Sequence, residues 1–128
     1  MSTPVGKAGL VAIAFAATAL AACEPQVEAP TARRACFHMV PDKAEQIGQR
    51  FNRLPGNYES LEFCAAALEA VRVRGGRGEI AGAYQGQFLF HNRRGIYVAR
   101  RFDGARYMAL IRTGDGRLAM PGAVRRQQ

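Results

Sequence analysis

The chain of 128 residues has no tryptophan, two lysines against sixteen arginines, two histidines, three cysteines and two serines. Each shortage excludes something. Two histidines, one in Cys36-Phe37-His38 and the other at His91, fall short of the three or four ligands that a zinc site takes. No metal or other cofactor is expected. Beyond Ser2 the only serine is Ser60, in the first turns of a predicted helix, so no Ser-His-Asp set can be assembled and no enzyme is expected. Long apolar runs are missing too. The longest, Ala8 to Ala22, has fifteen residues with Gly9 and Thr18 among them, whereas a spanning helix takes about 20. Acidic residues are scarce, ten against eighteen basic ones, for a net charge of +8. Glycine is plentiful, but no glycine-rich turn follows a strand and opens a helix. Arg74-Gly75-Gly76-Arg77-Gly78 is a single copy after a helix and reads as its C-cap and loop.

What is present begins with an address. Lys7 followed by the Ala8 to Ala22 run has the form of a secretory signal. At its end Leu20-Ala21-Ala22-Cys23 resembles the lipobox of bacterial lipoproteins. The resemblance implies removal of residues 1–22, a thioether-linked diacylglycerol on Cys23 and acylation of the new N-terminal amine. With two or more acyl chains, such a protein is stably anchored to a membrane that it does not span. The expected location is the bacterial cell envelope, facing the periplasm, at the outer membrane in preference to the inner one because Glu24 and not aspartate follows the cysteine. Export implies an oxidising compartment. With Cys23 taken by lipid, Cys36 and Cys64 remain as a single pair, expected to form a disulfide worth roughly 3 to 4 kcal/mol by loop-closure entropy. Nucleic acid is not an expected partner in that compartment.

The mature chain divides into a lipidated N-terminus and flexible stalk over residues 23–34, a single domain over 35–122 and a basic tail over 123–128. Ala35 to Val40 reads as a strand. Asp42 followed by Glu45 has the spacing of a capping box, and Ala44, Ile47, Phe51 and Leu54 recur on one helical face. Asn57 to Arg74 reads as a second helix, with Leu61, Cys64, Leu68 and Val71 on its apolar stripe and Gly75-Gly76 after it. Then the period changes to two, and Ile80 to Phe90, Ile96 to Phe102, Arg106 to Arg112 and Arg117 to Met120 read as a β-meander with a turn at Asp103-Gly104. The expected fold is therefore α+β, a helix hairpin packed on an antiparallel meander of three or four strands, with one disulfide. In order of elements this is similar to the small BamE-type outer-membrane lipoproteins, although that family's Gly-Met-Thr helix start and hairpin tryptophan are absent, so the resemblance carries topology and not a role.

Charge is unevenly spread. From Cys23 to Val71 there are five basic and seven acidic residues, and from Arg72 onward twelve basic and three acidic. If Asp103-Gly104 is a two-residue turn, one sheet face carries Tyr97, Arg101, Arg106, Arg112 and Arg117, with Arg101 opposite Arg106 and Arg112 opposite Arg117. Like charges directly opposite are destabilising, unless the register differs, the side chains splay into solvent or an anion lies between them. The same register places Arg100 on the core face opposite Tyr107, where it stacks on that ring or pairs with Glu62 or Glu69. Tyr97, Arg101, Arg106, Arg112 and Arg117 are thus the candidate contact residues of a small binding or scaffold subunit that meets an envelope protein or an anionic envelope component. The alternatives are direct binding of lipopolysaccharide, anionic lipid or cell-wall polymer, a role as an enzyme inhibitor, or a solvated surface of an arginine-rich proteome.

Overall fold

The structure, a computed structural model, describes residues 26–122 together with Gly6 and Gly9. The rest of the expected signal region, Cys23 and the basic tail lie outside the described residues. The fold is a seven-stranded antiparallel sheet in the order β2-β1-β3-β4-β5-β6-β7 with one helix on one face. The strands are β1 (Cys36–Pro41), β2 (Gln49–Arg53), β3 (Ile80–Tyr84), β4 (Gln87–His91), β5 (Gly95–Ala99), β6 (Tyr107–Arg112) and β7 (Leu118–Ala119); the helix is α1 (Leu61–Arg74). A helix hairpin on a meander of three or four strands is thus corrected to a larger sheet with a single helix.

Two local readings account for the difference. Asp42 to Leu54 is not helical: Asp42 Oδ1 accepts from Ala44 N at 3.0 Å and Gly48 turns the chain with φ +71°, so the segment becomes a tight connection from β1 into β2. The aspartate that resembled a helix cap closes a turn by the same side-chain-to-backbone bond. The stretch from Ile80 to Phe90 is not one strand but two, β3 and β4, joined at Gln85-Gly86 with φ +44° and +82°. Positive φ at both central residues is the turn that fits the twist of a two-residue hairpin.

Helix α1 follows its local signals. Ser60 adopts an extended backbone and its Oγ accepts from Phe63 N at 3.2 Å, the N-cap arrangement. At the other end Arg77 N donates to Arg72 O at 2.9 Å and Gly76, at φ +96°, donates to Val73 O at 3.4 Å, which is a Schellman stop. Cys64, Ala65, Leu68 and Arg72 form its buried face. Cys64, Ala65 and Leu68 pack with Cys36, Tyr84, Leu89, Ile96 and Leu110 of the sheet, and the Cys36–Cys64 disulfide ties the first strand to the helix. Leu68 sits directly over Gly82, where a Cβ would come within 2.5 Å of Leu68 Cδ1 and of Phe37 O; the glycine lets helix and sheet approach. Leu68, Leu89 and Ile96 are fully buried, each worth about 1.5 to 3 kcal/mol of apolar transfer.

The opposite sheet face carries a second apolar cluster of Met39, Phe88, Phe90 and Ala99. Phe102 covers it from the β5–β6 loop, its ring centroid 5.6 Å from that of Phe88 and 5.7 Å from that of Phe90. Within residues 26–34, the described part of the expected stalk, Val27 and Ala29 pack on this cluster, Pro30 O accepts from Gly86 N at 2.8 Å, and Arg34 O accepts from Tyr58 N at 2.9 Å.

Candidate functional site

Two polar assemblies stand out. The first is under the helix, where Glu69 of α1 meets His91 of β4 and Arg112 of β6. Arg72, one turn along α1, donates from Nη2 to Glu69 Oε1 at 2.9 Å and from Nε to the same carboxylate at 3.1 Å. Arg112 donates through Nη1 to Glu69 Oε1 and through Nη2 to Oε2, the latter at 3.2 Å. Both guanidiniums are further tied to backbone: Arg72 Nη1 donates to Arg77 O at 2.8 Å and Arg112 Nη2 to Asn92 O at 3.0 Å. His91 Nδ1 lies 3.1 Å from Glu69 Oε2.

The electrostatics follow from that geometry. Burial pushes the Glu69 carboxyl up, but hydrogen bonds from Arg72, Arg112 and His91 outweigh it and hold the group at about 2. Glu69 is therefore an anion that can only accept, so His91 Nδ1 carries the proton and Nε2 is the bare nitrogen. Desolvation lowers the His91 pKa below its ordinary value, against the opposing pull of Glu69, and the ring is neutral. Both His91 Nε2 and Arg112 Nε are buried without a hydrogen-bond partner among the described residues. A carboxylate orienting an imidazole is half of a hydrolase triad, but among the described residues no serine or cysteine completes it: Ser60 Oγ is committed to its cap and Cys36 and Cys64 are bonded to each other. The assembly ties α1, β4 and β6 together. Among the described residues no group of three His, Cys, Asp or Glu side chains converges as a metal set would, and no helix is long and apolar enough to cross a membrane.

The second assembly is at the end of the sheet where β3 turns into β4, β5 ends, and β1 and β6 begin. Arg33, Arg34, Arg100 and Arg101 are all exposed there. Arg34 N donates to Gln85 Oε1 at 3.0 Å and Arg101 Nη2 reaches Gln26 Oε1 at 3.5 Å, so the N-terminal segment and the β5–β6 loop meet at this end. Between Val98, Arg100, Arg101, Gly104 and Tyr107 runs a groove of about 560 Å³, within the size range of small-ligand sites. Tyr107 is 69 % exposed beside it.

The five residues expected to share one basic face do not. β5 and β6 pair as Val98↔Tyr107, Tyr97↔Met108 and Ile96↔Leu110, with a bulge at Ala109, so Asp103-Gly104 is not a two-residue turn. Residues 100–106 form a loop, and Arg101 and Arg106 are not strand partners. Arg101 is exposed, with Asp103 at 3.9 Å. Arg106 lies on the aromatic face, its guanidinium carbon 3.5 Å from the Phe90 ring centroid. Tyr97 is half-buried on that face. Arg112 is on the helix-covered face and bound to Glu69, and its strand partner is Leu118, not Arg117. Arg117 is exposed beside Asp115 at 3.6 Å. Arg100 is not a core residue but an exposed one in the loop. Glu69 does bind arginine, as its expected pairing with Arg100 supposed, but its partners are Arg72 and Arg112; nothing in the pattern of Gln26, Arg33 and Arg34 marked them as site residues.

A scan against protein-family models, a search of the curated proteins and a search of the solved structures each find no match to the chain.

Proposed function

We propose that the chain is a membrane-tethered lipoprotein of the bacterial envelope that works as a small binding or scaffold subunit and presents exposed arginines to an anionic partner. One observation carries the reading. Gln26, which Arg101 contacts, is three residues after Cys23, and three residues of chain reach at most about 11 Å. A lipid on Cys23 would hold the sheet end bearing Arg33, Arg34, Arg100 and Arg101 close to the membrane surface. The Cys36–Cys64 bond supports an exported, oxidising location. Binding is favoured over catalysis because Glu69, the partner of His91, is engaged by two arginines and no serine or cysteine among the described residues completes the pair.

The test has two arms. Mass spectrometry of the chain purified from membranes should find acyl chains on Cys23, and Cys23→Ser should abolish them; an intact Met1 would remove the tether. Charge reversal of Arg100 and Arg101 together should release a co-purifying partner while the thermal midpoint stays within about 4 °C, since exposed substitutions change stability by less than about 0.5 kcal/mol each. A large fall in the midpoint would make those arginines structural and the reading wrong.

A further inference from the structure

We infer that the groove at the β5–β6 loop is a headgroup site for anionic phospholipid of the same membrane that holds the anchor. The inference rests on the tethering reading above and names its partner. Three features converge on the groove. Arg100 and Arg101 line it together with Gln87 and Tyr107, while Val98 supplies an apolar wall. Guanidiniums bind phosphate oxygens in a bidentate fork, and a tyrosine that is apolar at the body and polar at the tip suits the membrane interface. Within the loop of residues 100–106, Arg100, Arg101 and Arg106 stand against Asp103 alone, so the loop itself carries a net charge of +2.

Chain reach selects the lipid over a protein partner. The groove shares Arg101 with the contact to Gln26, and Val27, Ala29 and Pro30 fix the following residues on the sheet. With so few residues between lipid and dock, the nearest concentrated anion is the headgroup layer itself. Arg93 and Arg94, equally exposed, lie at the other end of β5, a strand of about 17 Å away. They carry the same charge and lack the groove, which makes them the control.

The absence of tryptophan makes the test clean, because Ala105→Trp places a sole tryptophan, excited selectively over the four tyrosines, on the groove wall. The full chain carrying this change, purified from membranes, is reconstituted into vesicles of phosphatidylcholine alone or with about one third phosphatidylglycerol, each also prepared with brominated acyl chains. Its intact mass is measured first. In anionic vesicles the emission should shift to the blue and be quenched, and raising the salt should reverse both. Adding Arg100→Glu and Arg101→Glu should lower the ratio of docked to undocked protein by at least about thirtyfold for the pair, the share that comes from losing the usual attraction of two basic side chains to an anionic surface. Arg93→Glu with Arg94→Glu should change it less than about threefold on the same scale. Equal quenching in pure phosphatidylcholine, equal loss from both pairs, or no quenching in anionic vesicles would each overturn the inference. The mass separates the two readings. An unacylated chain that still shows Arg100-dependent quenching keeps the groove and loses the tether, and an acylated chain without quenching keeps the tether and loses the groove.

Discussion

Glu69→Gln tests the account of the buried charge assembly, because it keeps the volume and hydrogen-bonding shape of the side chain and removes the charge on which Arg72, Arg112 and His91 converge. The fall of Glu69 from an ordinary 4.5 to about 2 corresponds, at about 1.36 kcal/mol per unit, to an upper bound of roughly 3 kcal/mol. Its side chain is 15 % exposed and solvent screens part of that, leaving about 2 kcal/mol. Removing one partner of a buried pair costs about 3 to 5 kcal/mol. Here the lower end applies, because Arg72 keeps Arg77 O and Arg112 keeps Asn92 O. The expected loss at pH 7 is about 3 kcal/mol in urea unfolding, with the slope unchanged. The pH dependence gives a second readout. A carboxyl with a lowered native pKa stabilises fully above its unfolded value, and that stability is lost as the pH falls through the native one. The gap between wild type and Glu69→Gln should therefore be constant above pH 4.5 and narrow from there toward pH 2. A loss at pH 7 below about 1 kcal/mol, or a gap independent of pH over that window, would refute the claim that the carboxylate holds helix and sheet together.

Three further outcomes follow from other parts of the fold. Cys36→Ala with Cys64→Ala, or reduction of the wild type, should cost roughly 3.5 kcal/mol for release of the loop between them, read as a fall in the urea midpoint that reducing agent does not deepen in the double variant. Gly82→Ala should cost about 1 to 3 kcal/mol by overpacking, since its Cβ would meet a backbone oxygen as well as Leu68; Leu68→Ala in the same chain should recover part of it if the clash with Leu68 is the cause. His91 is held neutral by burial, so its contribution is present above the ordinary 6.5 and lost as the pH falls below it. His91→Gln should flatten that limb of the stability profile and leave the Glu69 limb in place.

The helix was legible because its signals are local. Leu61, Cys64, Leu68 and Val71 recur at helical spacing, charge is placed to suit the dipole, and two glycines follow; the structure shortens it only at the start, to Leu61 after the Ser60 cap. The stretch from Asp42 to Leu54 has the same spacing of apolar residues, yet becomes turn and strand. Gly48 in a left-handed conformation breaks the run, and β1 offers the following residues a ladder, with Phe51 paired to Met39, that an isolated amphipathic segment has no means of signalling. The β3–β4 turn was hidden for a different reason. Gln85 takes a positive φ that asparagine or aspartate would have advertised, and the run of apolar residues on both sides of it reads as one strand. That single turn determines that Phe88 and Phe90 face away from the helix while Leu89 and His91 face it.

The site was less legible than the fold, because the face on which an arginine emerges is a matter of parity. Side chains alternate along a strand, so one inserted residue moves everything beyond it to the other face. The pairing of Val98 with Tyr107 and the bulge at Ala109 act in sequence. The first lengthens the β5–β6 connection from two residues to seven, which takes Arg100 and Arg101 out of the sheet and leaves them exposed. The second reverses parity within β6, so that Tyr107, Leu110 and Arg112 come to the helix side while Met108 faces the aromatic cluster. Without the extra residue Arg112 would face away from Glu69, whose carboxylate would then have Arg72 alone for a cationic partner. Alanine carries no mark of a bulge, and so a face of four aligned arginines was the simplest reading of the pattern. The structure uses those charges separately: one arginine bonded to a buried carboxylate, one laid over an aromatic ring, one beside an aspartate at a turn, and one, reaching Gln26, left exposed with Arg100 in the β5–β6 loop.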